Sequence, residues 1–146
     1  MIEIKHFSDC SNLEIYGMLQ LRSEVFVVEQ NCVYLDLDSK DLDAFHVFIK
    51  SESGEVIATA RILKAGVSYP ELSIGRVCTA KSVRQQGKGV EVMKAAMEFI
   101  ESNWPSCECV ISAQLYLQRF YESFHFEVEG ESYLEDNIPH IQMRKK

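Results

Sequence analysis

The stretch Val77–Glu91, VCTAKSVRQQGKGVE, decides the fold. It closes a β run that begins at Ile74, passes a polar turn at Lys81-Ser82, and reaches Arg84-Gln85-Gln86-Gly87-Lys88-Gly89. A helical pattern starts directly behind the second glycine. Glycine lets a backbone approach a ligand without a Cβ in the way. The first N–H groups of a new helix have no partner inside it, and they sit at the positive end of the helix dipole. A strand-to-helix turn of this composition is a phosphate site in waiting. Its spacing excludes two common kinds. A dinucleotide turn needs a third glycine, and a Walker loop needs Ser or Thr where Gly89 stands. A plain nucleotide-binding α/β domain is therefore disfavoured.

The flanking chain reads as alternating layers. Ile2–Phe7 alternates like an opening strand. Ser8-Asp9 and Ser11-Asn12 are cap residues, and a helix runs from Leu13. Its apolar positions Leu13, Tyr16, Leu19, Val25 and Phe26 predict the buried side, with Arg22 and Glu24 facing away. Asn31–Asp43 carries Asp36, Asp38, Asp41 and Asp43 and reads as an acidic loop, without the glycine and glutamate that a calcium loop requires. Ala44–Lys50 and Glu55–Leu63 form a hairpin around the turn Ser51–Gly54. Glu71–Thr79 is the next strand. The helix Gly89–Asn103 places Val90, Met93, Met97 and Ile100 on one face, with Ala96 beside them. Glu108–Ala113 is a strand, Gln114–Ser123 a helix, and Phe126–Glu129 a strand. Ser132–Ile138 reads as a loop, and Ile141–Arg144 as a last strand. Antiparallel strands followed by strand-helix-strand crossovers predict a mixed α/β (α+β) fold with helices on both faces of the sheet.

The 146 residues predict one domain, 1–146. No apolar run is long enough for a membrane span, and the N-terminus lacks the pattern of a signal peptide. The five cysteines are scattered without zinc spacing, which predicts reduced thiols, no metal, and a cytoplasmic protein. A net charge of −7 argues against nucleic acid as a partner.

With this order in place, Arg84-x-x-Gly87-x-Gly89 resembles the Q/R-x-x-G-x-G/A signature of the GNAT (GCN5-related N-acetyltransferase) family. Phe120-Tyr121-Glu-Ser-Phe-His125-Phe126 resembles that family's F/L-Y-x-x-x-G-F segment, with His125 in place of glycine. Leu21–Gln30, the acidic loop with Asp43 and His46, Ile74–Val77, and Glu135–Ile141 resemble the bacterial ElaA-like branch. The matches span nearly the whole chain.

The resemblance implies a mixed, mostly antiparallel GNAT-like sheet and an N-acetyltransferase using acetyl-CoA as co-substrate. It implies that Val77, Cys78 and Thr79 border the pantetheine arm, with the Cys78 side chain turned into the core by alternation. It implies that two sheet strands part after Thr79, and that the N–H groups of Arg84, Gln85, Gln86, Gly87, Lys88 and Gly89 cradle the pyrophosphate. Gln114 stands near the coenzyme. Tyr121 is the candidate general acid for the leaving sulfur. Glu29, His46 and His140 are candidate bases. Arg76, with Glu29 and His140, is a candidate for the acceptor site, where it would meet a carboxylate or pair with Glu29. The expected acceptor is a small-molecule primary amine rather than a protein lysine, attacking directly without an acyl-cysteine. A homodimer fits the family. A non-catalytic acyl-CoA-binding module on the same fold is the competing reading.

Overall fold

The computed structural model describes all 146 residues. Strand β1 (Ile2–His6) pairs antiparallel with β2 (Phe45–Lys50), β2 with β3 (Val56–Leu63), and β3 with β4 (Ser73–Thr79). A second four-stranded group comprises β5 (Cys109–Gln114), β6 (Glu127–Val128), β7 (Tyr133–Glu135) and β8 (Ile138–Lys145), with β8 as the common partner. The two groups share one core and are joined by a parallel bridge between Leu72 and Cys109, where the Val110 N–H donates to the Leu72 carbonyl at 2.8 Å. Helix α1 (Asn12–Arg22) lies on one face of the sheet, and α2 (Lys88–Asn103) on the other. The short α3 (Gln118–Glu122) follows a 3₁₀ turn, Leu115–Leu117.

Alternation along the strands feeds two cores. Val47, Ile49, Ala58, Ala60 and Ile62 point to the α2 side, where Val92, Met93, Ala96 and Ile100 close the larger core. Phe48, Val56 and Cys78 point to the α1 side and meet Met18, Leu21 and Val25. Cys78 is thus a core thiol, as alternation predicts. The buried face of α2 is rotated from the one expected, because Val92 takes the inward position and Val90 is half exposed.

Helix α1 departs more strongly. Leu13 and Tyr16, expected inside, are 85% and 70% exposed, whereas Arg22, expected outside, is 1% exposed. The buried positions are Glu14, Met18, Leu21, Arg22 and Val25, a proper helical stripe that charges enter at both ends. Ser11 and Glu14 form a capping box. The Glu14 carboxylate also takes Lys5 at 3.1 Å and Lys50 at 2.7 Å. Burial pushes its carboxyl up, but Lys50, the Ser11 N–H and Lys5 prevail and bring it down to about 2. Beyond Arg22 the helix continues as a wider π turn, Ser23–Glu29.

The acidic loop is a correction of the same kind. Asp36 and Asp41 are buried, and the segment ends in a 3₁₀ turn, Lys40–Asp43. Arg22 donates from Nε to Asp36 at 2.9 Å and from both terminal nitrogens to Asp41 at 2.7 and 3.1 Å. Arg61 on β3 holds Asp38 in a fork at 2.8 and 3.1 Å and reaches Asp41 at 3.2 Å. Burial would raise the Asp41 carboxyl, but the Arg22 hydrogen bonds and charge outweigh it and hold it low. These carboxylates are the counter-ions of internal arginines rather than a solvated acidic surface.

Ser132–Ile138 is no plain loop. Asp136 and Asn137, with φ of 51° and 64°, make a two-residue hairpin turn between β7 and β8, with Glu135 opposite Ile138. His125, in the place of the family's glycine, adopts φ of 71° at the exit from α3 and is exposed. A left-handed residue with a Cβ is strained. We expect His125→Gly to stabilise the fold by about 1 kcal/mol, read as a raised midpoint in urea unfolding. An unchanged or lowered midpoint would show that the imidazole contributes more than its backbone costs.

Candidate active site

From Ser73 onward β4 and β5 diverge, seven residues earlier than the parting expected after Thr79. A bulge lies within the diverging stretch. Thr59 pairs with Cys78 and Arg61 with Gly75, so Arg76 and Val77 together face Ala60 alone. Arg76 takes φ of 52° there. A bulge interrupts the ladder and increases the twist of its strand. The divergence opens a groove of about 1170 Å³ through the sheet.

At one mouth lies the glycine turn. Gly87, with φ of 75°, is the N-cap of α2 and has no side-chain cap. The N–H of Arg84 bonds the Lys81 carbonyl, and that of Gln86 bonds the Val83 carbonyl. The N–H groups of Gln85, Gly87, Lys88, Gly89 and Val90 donate no hydrogen bond within the chain. All five of those residues line the groove, whereas Gln86 does not. Gly89 lies where a Cβ would stand 3.8 Å from Phe120 and Thr79, so it also seats the helix against the groove wall. Val77, Cys78 and Thr79 line the same groove along β4.

The Arg84 side chain crosses the mouth. It binds Glu29 in a bidentate pair, with Nη2 to Oε1 at 2.7 Å, and donates to the Thr79 carbonyl at 3.1 Å. The hydrogen bond from Arg84 holds the Glu29 carboxyl below the usual range, which makes it a poor proton acceptor. Beside it, Gln30 and Gln114 exchange amide hydrogen bonds at 3.3 and 3.4 Å. Arg76 does not meet Glu29. Its Nε lies 2.8 Å from Asp36 Oδ1, its Nη2 donates to the Asp36 carbonyl at 2.9 Å, and its guanidinium covers the Tyr34 ring at 5.7 Å.

Tyr121, on α3, borders the groove while 7% exposed. Its ring is held edge-on by Phe120 at 5.1 Å and Phe126 at 6.3 Å. Burial pushes the phenol well above its ordinary value, so it keeps its proton at neutral pH. His140 faces Gln114 across the β5–β8 ladder and also lines the groove. Its Nδ1 lies 2.7 Å from the Ile138 carbonyl, which only accepts, so Nδ1 carries the proton. Its Nε2 lies 3.5 Å from the Glu135 carboxylate. His46 is elsewhere. It is 3% exposed, outside the groove lining, and its Nε2 donates to the Asp41 carbonyl at 3.1 Å. Burial lowers its basicity, and its place is to brace the Asp36–Asp41 segment.

Sequence reasoning did not single out Arg61, Ser112 or Tyr69, and it named Asp38, Gln30 and Glu135 only within longer stretches; all six border the groove. For Glu135 a local signal existed, since Asp136-Asn137 is a tight-turn pair that sets its neighbours on one hairpin.

Comparison with known proteins agrees with this geometry. The profile of the Acetyltransferase (GNAT) domain matches residues 27–146. A UPF0039 protein of Synechocystis is 39% identical over 95% of this chain and 90% of its own. ElaA of Escherichia coli is 41% identical over 97% of this chain and 93% of its own, and its crystal structure superimposes with a TM-score of 0.92. The crystal structure of an acyl-CoA N-acyltransferase from Pseudomonas aeruginosa, 38% identical, covers 100% of this chain and 99% of its own with a TM-score of 0.94. The chain belongs to the GNAT acetyltransferase family, in its ElaA-like branch.

Proposed function

We propose that this chain moves an acetyl group from acetyl-CoA to a small primary amine by direct attack. The observation that carries this reading is the set of unpaired N–H groups at Gln85, Gly87, Lys88, Gly89 and Val90, gathered at one mouth of a groove that cuts the sheet. These donors and the dipole of α2 suit a pyrophosphate. The bordering strand Val77–Thr79 suits an extended arm, and the interrupted ladder at the bulge frees backbone to polarise a thioester carbonyl.

The chemistry then needs two proton movements. A primary amine titrates near ~10.4 and so must reach the site as the neutral form, having left one proton in water; that neutral nitrogen bonds the carbonyl carbon and then sheds a further proton. His140 in its neutral form accepts that proton at Nε2, directly or through one water, because it lines the groove while His46 does not and Glu29 is tied to Arg84. As the carbon–sulfur bond breaks, the Tyr121 phenol donates its proton to the leaving sulfur. The acceptor enters on the side of Glu135, His140 and Arg76, opposite the glycine turn.

Calorimetric titration with acetyl-CoA, with ATP and NAD as controls, tests the coenzyme site. We expect selective micromolar binding. In Gly87→Val, forced into the left-handed region, we expect affinity to fall about tenfold or more. A folded protein that binds no acetyl-CoA overturns the proposal.

A further inference from the structure

Gly75 has no conformational reason to be glycine. It lies inside β4, its φ is not left-handed, and a Cβ built there meets no atom within 4 Å. Glycine weakens a strand interior, and where no bulge or turn demands it, it marks a surface that something else approaches. The bulge is carried by Arg76 and Val77, which follow it. Gly75 lines the groove, on the face away from α2.

Its surroundings define what that approach meets. Arg61 is its cross-strand partner, but the guanidinium is drawn off to Asp38 and Asp41 and does not cover it. Leu63 and Ser73 form the next pair on the same face. Across the parting stand Ser112 and Ile138, and Tyr69 borders the same space. The result is a flat backbone floor with apolar and hydroxyl-bearing walls, on the His140 side of the groove.

We infer that Gly75 sets the size of the acceptor, keeping room for a primary amine carried on a bulky, flat body such as an arylalkyl group, which lies across β4. This rests on the acetyltransferase reading above. It adds the acceptor's shape and the residue that determines it.

The test uses probes that bind without turnover. Coenzyme A is joined through its sulfur by a CH₂–CO bridge to methylamine or to tryptamine, and octanoyl-CoA serves as a third probe. Wild type binds both amine conjugates at least as tightly as coenzyme A. Gly75→Leu keeps its affinity for coenzyme A and for the methylamine conjugate but loses about tenfold or more for the tryptamine conjugate. Gly75→Ala, one carbon placed in open space, shows the same order at smaller amplitude and a melting temperature no lower than wild type. Equal affinity of Gly75→Leu for both conjugates overturns the inference, as does rejection of the tryptamine conjugate by wild type. A loss confined to octanoyl-CoA overturns it too, and assigns the floor to the donor's acyl chain. If coenzyme A itself does not bind wild type, the coenzyme reading falls first and this inference with it.

Discussion

Tyr121→Phe is expected to lower the turnover of any accepted amine by about 10²- to 10⁴-fold, the usual worth of a positioned general acid. The ring is held edge-on by Phe120 and Phe126, contacts that a phenyl ring keeps, so the substitution removes one oxygen and little packing. Affinity for acetyl-CoA should therefore stay within about twofold, because the proposed pyrophosphate donors lie on the α2 turn and not on α3. Thiol release during an amine assay gives the first quantity, and calorimetry the second. If turnover survives, the leaving sulfur takes its proton from another group. If both forms bind coenzyme and neither turns over any amine, the chain is an acyl-CoA-binding module. A joint fall in binding and turnover would mean that Tyr121 shapes the groove rather than donating a proton.

Arg22→Met is expected to be the most damaging single substitution outside the groove, at about 3 to 5 kcal/mol of stability. Arg22 is 1% exposed and contributes four donations, two of them to Asp41, one to the Asp36 side chain and one to the Asp36 carbonyl at 3.3 Å. A thioether fills the space of the side chain but leaves two buried carboxylates with fewer partners than charges. Arg61 and Arg76 retain hold of Asp41 and Asp36, which keeps the loss towards the lower end. Urea unfolding measures it as a shift in midpoint at constant slope. Lysine is no substitute, because an ammonium cannot make the two-pronged contact with Asp41. A loss under about 1 kcal/mol would show that the loop relaxes to let water reach its carboxylates.

What the sequence disclosed and what it hid follow from where charges went. The strands were legible because alternation and turn chemistry agree at Phe45–Lys50 and Val56–Leu63, around Ser51–Gly54. Helix α2 was legible in extent, since a glycine turn starts it and Trp104-Pro105 ends it, though Val92 rather than Val90 takes the inward place. Helix α1 misled because hydrophobic periodicity assumes that charges face water. Glu14 and Arg22 are inside because Lys5, Lys50, Asp36 and Asp41 come from distant segments to meet them, and no local window holds both partners. The same non-local pairing makes the acidic loop the counter-ion of three arginines. The early divergence of β4 and β5 was hidden for another reason. The diverging stretch carries a left-handed arginine at a bulge, a conformation that nothing in the letters Gly-Arg-Val announces.

That arginine–aspartate lattice also bears on how this protein can evolve. One wall of the proposed acceptor side, through Asp38, Arg61 and Arg76, is built from the same ion pairs that fasten α1, β3 and β4 together. A substitution that retunes recognition there is charged against stability at once. The opposite wall carries Glu135 on the exposed β7–β8 hairpin, whose Tyr133 and Leu134 are also open to solvent. Drift in acceptor preference therefore has a cheap route through the hairpin and an expensive one through the lattice. Relatives with new specificities should differ first between residues 133 and 138.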